Sequence, residues 1–132
     1  MLTFCHKLLI IQKLAKTRRD AFVPREQWIG EMAEEVAQEM QNPFSPSAAL
    51  NGFLLTMSQE ELHRLKSLMI SGRDDERAVD LYAEFSMDEP ANEAGYIAGK
   101  LPLCEYLEQG IARAKADGLN LERPFLSREE AA

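Results

Sequence analysis

Met57-Ser58-Gln59-Glu60-Glu61-Leu62, followed by Leu65, Leu68 and Met69 and then by Gly72, decides the fold class. Ser58 can accept a hydrogen bond from the backbone N–H three residues on, while the Glu61 carboxylate reaches back to the backbone N–H of Ser58. Met57 and Leu62 stand where a hydrophobic staple closes such a box. The leucines then return every three or four residues, the period of a helix face. This predicts a helix over 59–71, with Gly72 as its left-handed terminator.

The same period extends in both directions. Phe4, Leu8, Ile11 and Ala15 repeat at intervals of 4, 3 and 4, which predicts a helix over 2–17, broadened by Leu9, Ile10 and Leu14. Thr17–Phe22 carries charge without periodicity and reads as a connector. A second helix is expected from Pro24 to Gln41, with Ile29, Ala33, Val36 and Met40 on its apolar side and Pro24 at a position that needs no N–H. Asn42-Pro43 ends it. Ser45 can cap a short helix that has Pro46 first and Leu50, Phe53 and Leu54 as its apolar side.

Beyond Gly72, Asp74 or Asp75 is expected to open a helix facing inward through Ala78, Val79, Tyr82 and Phe85, broken by Met87–Pro90. A shorter helix is expected from Asn92 to Ala98, and a last one from Pro102 to Gly118, with Arg113 and Lys115 where the dipole favours cations. Leu119, Leu121, Phe125 and Leu126 can pack a tail onto the body, and Ser127–Ala132 is expected to fray. No stretch alternates apolar and polar residues like a strand. The fold class that follows is all-α: a single domain over 1–132, an irregular bundle of six or seven short helices. It divides into a basic N-terminal helix (1–19), an acidic body (20–118) and a tail (119–132).

The chain of 132 residues has 22 acids against 15 bases, a net charge of −7. The layout says more than the total. Residues 1–19 hold Lys7, Lys13, Lys16, Arg18 and Arg19 and no acid, so every acid lies in the rest. The longest apolar run, Leu8–Ile11, is too short for a secretory core or a membrane span. The basic, acid-free start suits a mitochondrial presequence, but it lacks serine. A cytoplasmic setting is expected. Cys5 and Cys104, far apart, suggest neither a disulfide framework nor a metal pair.

Candidate chemistry is thin. His63 with Glu60 and Glu61 lacks the two-histidine spacing of a helical zinc site, and no metal or other cofactor is expected. Cys5 and His6 are sequence neighbours that point apart on a helix. The paired carboxylates Glu34/Glu35, Asp74/Asp75/Glu76 and Asp88/Glu89 have helix-start or solvated-face explanations. The glycines match no phosphate-binding loop. Arg73, Asp74 and Tyr96 are candidates for anion or ligand binding, Arg73 either taking an anion or pairing with a neighbouring aspartate. Lys7, Lys13, Lys16, Arg18 and Arg19 are the candidates for an interaction surface.

From Ser58 to Glu122 the chain resembles the bacterial family called domain of unknown function 3775. The likeness rests on Ser58–Leu62 with its Leu65/Leu68/Met69 stripe, on Ile70-Ser71-Gly72-Arg73-Asp74, similar to a Gly-Arg-Gly-Asp turn of that family, and on Tyr96–Leu103 running into Tyr106–Gly110. It implies a bacterial soluble helical domain and transfers no catalytic residue. The leading expectation is a non-enzymatic protein acting through protein–protein contact, with self-association as a homodimer. The rival is a small-ligand binder or weak enzyme with a site near Arg73, Asp74 and Tyr96, recognisable by those side chains converging on a cavity of about 300 Å³ or more. The third reading is nucleic-acid contact through the basic helix, which the acidic body disfavours.

Overall fold

The computed structural model describes residues 2–21, 38–39 and 41–126. Among them are six α-helices and no strand: α1 (Phe4–Asp20), α2 (Pro46–Leu54), α3 (Gln59–Asp74), α4 (Ala78–Glu84), α5 (Pro90–Ala98) and α6 (Leu103–Ala116). The all-α, single-domain bundle expected from periodicity is the one observed. Most of the helix expected over Pro24–Gln41, and the fraying segment Ser127–Ala132, lie outside the described residues.

Helix α3 is the axis of the bundle. Its start carries both halves of the capping box, Glu61 N–H to Ser58 Oγ at 3.1 Å and Ser58 N–H to Glu61 Oε1 at 3.0 Å. Such a cap contributes about 1 kcal/mol. Leu62, Leu65, Leu68 and Met69 are fully buried, and His63, Arg64, Ser67 and Ser71 are buried with them. Burial on nearly every side follows from its neighbours, since α4, α5 and α6 all pack against it, α6 most extensively.

The α3–α6 contact explains why Gly72 is not the terminator. A Cβ built on Gly72 would stand 1.8 Å from the Tyr106 carbonyl oxygen, and one on Gly110 would stand 1.9 Å from that of Leu68. The two glycines let the backbones touch, so Gly72 is a packing residue inside a helix that runs on to Asp74. The left-handed position falls to Asp75 (φ 59°, ψ 41°), a residue type that tolerates it. Asp75 also pairs with Arg113 of α6, and the Ser71 hydroxyl donates to the Glu76 carbonyl. Neither Asp74 nor Asp75 opens the next helix; α4 begins at Ala78 without a side-chain cap.

Helix α1 is likewise longer than its apolar residues suggest. The buried set is Phe4, Leu8, Ile11, Ala15 and Arg18, so the 4-3-4 rhythm continues by three into an arginine. The guanidinium of Arg18 is fully buried and donates to the carbonyls of Ala98 and Lys100, each at 2.6 Å. Those bonds fix the final turn of α1, where a connector was expected. At the other end Thr3 caps the helix by accepting from His6 N–H. The Glu122 carboxylate accepts from the N–H groups of Phe4 (2.9 Å) and Cys5 (3.0 Å).

Ser45 caps α2 and Pro46 is its first residue. Helix α5 starts two residues earlier than expected, because Pro90 opens the helix rather than only ending what precedes it. Gly118, in the left-handed region (φ 73°), follows α6, with Leu119 N–H bonded to the Ala114 carbonyl. Of the four tail residues expected to pack, Leu121 and Phe125 are buried, Leu119 packs on the core and Leu126 is exposed. Arg64 ties the tail down, donating to the Leu121 carbonyl while lying over the Phe4 ring at 4.2 Å and pairing with Glu60.

Candidate functional site

A cleft of about 580 Å³ opens where the C-terminal half of α3 faces α4 and α5. Each helix gives it a stripe at helical spacing: Lys66, Ile70, Arg73 and Asp74 from α3, Leu81 and Glu84 from α4 with Phe85 at its end, and Asn92, Glu93 and Tyr96 from α5. Glu76 and Asp88 complete the lining from the two connections. Ile70 and Leu81 are buried and give the cleft an apolar floor, beside the half-buried Phe85. Arg73, Asp74 and Tyr96 therefore converge on one cavity larger than the 300 Å³ mark set from sequence.

At the base lies an ion pair. Lys66 Nζ is 2.9 Å from Glu93 Oε1, the side chains being 11% and 5% exposed. The ammonium also stands 5.2 Å over the Phe85 ring. Glu93 Oε2 is enclosed and has no hydrogen-bond partner among the described residues. Taking two charges out of water costs several kcal/mol per ion unless every lone pair is met, and a native structure leaves few buried acceptors unmet. Here one carboxylate oxygen beside a cavity is left over.

The rim is acidic. Five carboxylates line the cleft (Asp74, Glu76, Glu84, Asp88 and Glu93) against two cations, Lys66 and Arg73. Both cations are already engaged. Arg73 donates twice to Asp74, at 2.9 and 3.2 Å. That bond raises the guanidinium above its ordinary value and holds the Asp74 carboxyl below the usual carboxylate range. The Glu89 N–H, and then the Asn92 amide, likewise hold Asp88 low. Glu76, Glu84 and Asp88 have no ion pair to any described residue. The Tyr96 ring is covered by Lys100 Nζ at 4.6 Å. Of the two outcomes foreseen for Arg73, the structure shows the pairing with its neighbour.

The basic residues of α1 do not share a surface. Lys7 binds Glu61 at 2.8 and 3.0 Å, Arg18 is buried under two carbonyls, and Arg19 pairs with Glu105. Lys13 and Lys16 are exposed. The carboxylates near His63 are also committed elsewhere: Glu60 accepts from Arg64 and from the Tyr82 hydroxyl, and Glu61 closes the capping box. His63 Nε2 lies 2.9 Å from the Tyr82 carbonyl. Among the described residues no group of three His, Cys, Asp or Glu is placed to hold a metal. Both thiols are pushed above their ordinary value by burial, Cys5 also by the Glu122 carboxylate and Cys104 by Glu105. Neither lines the cleft, and a raised thiol is a poor nucleophile at neutral pH. No helix among the described residues is long and apolar enough to cross a membrane.

Lys66 and Glu93 are the residues sequence reasoning missed. They are 27 positions apart and meet only through the packing of α3 on α5. The available signal was the stripe Lys66, Ile70, Arg73 on the flank of α3, parallel to the core stripe. Comparison with protein-family models, curated proteins and solved structures returns no match.

Proposed function

We propose that the protein is a non-enzymatic binding protein and that the cleft between α3, α4 and α5 is where its ligand sits. The observation that carries this reading is the Lys66–Glu93 pair: a buried, costly arrangement at the base of a cavity, with one carboxylate oxygen left unmet. An apolar floor with a few fixed polar groups is the usual make-up of a ligand site. Binding is favoured over chemistry because Asp74 and Asp88 are held as carboxylates and neither thiol lines the cleft.

Self-association through α1 has lost most of its motive. Phe4, Leu8, Ile11 and Ala15 pack inside the same chain, leaving Leu2 and Leu9 as the exposed large apolar residues of that segment. Nucleic-acid contact loses its motive with the engagement of Lys7, Arg18 and Arg19. Membership of the domain of unknown function 3775 family is proposed on the three quoted stretches alone.

The test is a fragment panel added to isotopically labelled protein and read by amide NMR. Shifts clustered on Lys66, Ile70, Glu93 and Tyr96 are expected. A panel that perturbs other surfaces and leaves those four amides unmoved would remove the cleft from consideration.

A further inference from the structure

We propose that the cleft selects a cation, an alkylammonium group whose N–H donates to Glu93 Oε2 while its aliphatic stem lies along Ile70, Leu81 and Phe85. This rests on the reading of the cleft as a ligand site and adds the class of ligand.

Three observations point the same way. The first is charge that is not cancelled. With Lys66 held by Glu93 and Arg73 by Asp74, the carboxylates of Glu76, Glu84 and Asp88 set the field at the mouth. A cleft lined by one sign of charge over apolar walls concentrates the opposite sign. Both cations of the lining are held in ion pairs, which weakens the pull of the cleft on an anion.

The second is the unmet acceptor. Glu93 is 4% exposed and Oε2 has no donor, so a ligand N–H reached by a small turn of the side chain supplies what the fold does not. A charge-assisted bond of this kind is among the strongest single contacts available. The third is a precedent in the rings of the cleft: Phe85 already carries an ammonium of the lining, Lys66 at 5.2 Å, and Tyr96 carries one from outside the lining, Lys100 at 4.6 Å. These ring faces accept ammonium ions. A ligand with two cationic ends would place one at Glu93 and the other among the rim carboxylates.

The same chemistry is offered by a free di- or polyamine and by a lysine side chain on another protein, and the experiment separates them. The full chain is titrated by calorimetry and amide NMR with cadaverine, spermidine and a blocked lysine peptide. Glutarate and 1,5-pentanediol serve as the anionic and neutral counterparts of cadaverine. Saturable amine binding is expected, with shifts at Glu93 and Tyr96 and clear weakening between about 20 and 150 mM salt. Tighter binding of the peptide than of the free amines assigns a protein-borne lysine; the reverse order assigns a polyamine.

Glu93→Gln should weaken amine binding about tenfold or more. If that variant does not fold, the exposed pair Glu76→Gln/Glu84→Gln decides, and about threefold weakening is expected from the field alone. Pentanediol or glutarate binding as tightly as cadaverine, or amine binding indifferent to these substitutions, overturns the proposal. Should pentanediol or other fragments shift the cleft amides while amines do not, the cleft stands and the cationic ligand falls. Should nothing shift them, both fall.

Discussion

Gly72→Ala tests the central contact of the bundle. In an unobstructed helix interior this substitution stabilises by about 1 kcal/mol, because alanine loses less backbone freedom than glycine on folding. At Gly72 the added Cβ would lie 1.8 Å from the Tyr106 carbonyl oxygen, 2.7 Å from its carbon and 2.8 Å from Gly110 N. Ordinary contact distances are near 3.4 Å or more, so α3 and α6 must separate locally by roughly 1.5 Å. All three obstacles are backbone, and no side chain can rotate away. Separation loosens the most extensive helix pair and lifts Leu65, Leu68 and Leu107 off their neighbours, for which overpacking costs of about 1–3 kcal/mol are the guide. The net expectation is destabilisation by about 1 kcal/mol, or roughly 3–5 °C in Tm for a chain of this size. Gly52→Ala in α2 and Gly95→Ala in α5 are the internal controls. A Cβ at either meets nothing within 4 Å, so each should be neutral or stabilising by up to about 1 kcal/mol. Urea unfolding followed by circular dichroism gives all three values. If Gly72→Ala proves as stable as Gly52→Ala, the close approach of α3 and α6 is wrong.

Arg18→Met keeps the stem of the side chain but orphans the Ala98 and Lys100 carbonyls, and should cost about 3 kcal/mol in the same urea assay; a loss under 0.5 kcal/mol would mean the guanidinium is not buried there. Leu65→Ala should cost about 2–5 kcal/mol, since Leu65 is fully enclosed, and a few tenths would refute its burial. Burial raises the Glu61 carboxyl, but the Lys7 ammonium and the Ser58 N–H outweigh it and the net value is lowered. A lowered folded value means that the stabilisation is fully present above the ordinary glutamate range, near pH 4.3, and is lost as pH falls through the folded value. Glu61→Gln should therefore flatten the acid limb of the stability–pH curve by about 0.5–1 kcal/mol and change little near pH 7 beyond that loss; an unaltered acid limb would refute the Lys7–Glu61 bond.

Where the sequence was legible, the determinants were local. The capping box at Ser58, the proline starts at Pro46 and the glycine end at Gly118 each depend on residues within one turn of one another. The misreadings share the opposite cause. Gly72 looks like a terminator until α6 is placed against it, and Arg18 looks like part of a connector until the carbonyls of Ala98, at the end of α5, and Lys100 are seen above it. A charged residue in an apolar rhythm, or a glycine near an expected end, has two readings that only a distant partner separates. The same holds for the cleft. Arg73, Asp74 and Tyr96 could be singled out by type, but the Lys66–Glu93 pair exists only because α3 and α5 pack side by side.

The bonds from Glu122 to the N–H groups of Phe4 and Cys5 span 118 and 117 positions. In a growing polypeptide α1 emerges first, yet the carboxylate that completes its N-terminal turn is made after all six described helices. One buried contact is late too, since Arg18 waits for the Ala98 and Lys100 carbonyls. During synthesis the first helix can pack on α2 early, but its N-terminal turn waits for the Glu122 carboxylate until residues past 120 have left the ribosome. Stalling translation just before Glu122 would leave a molecule with every described helix encoded and the start of the first one held by the Thr3 cap alone.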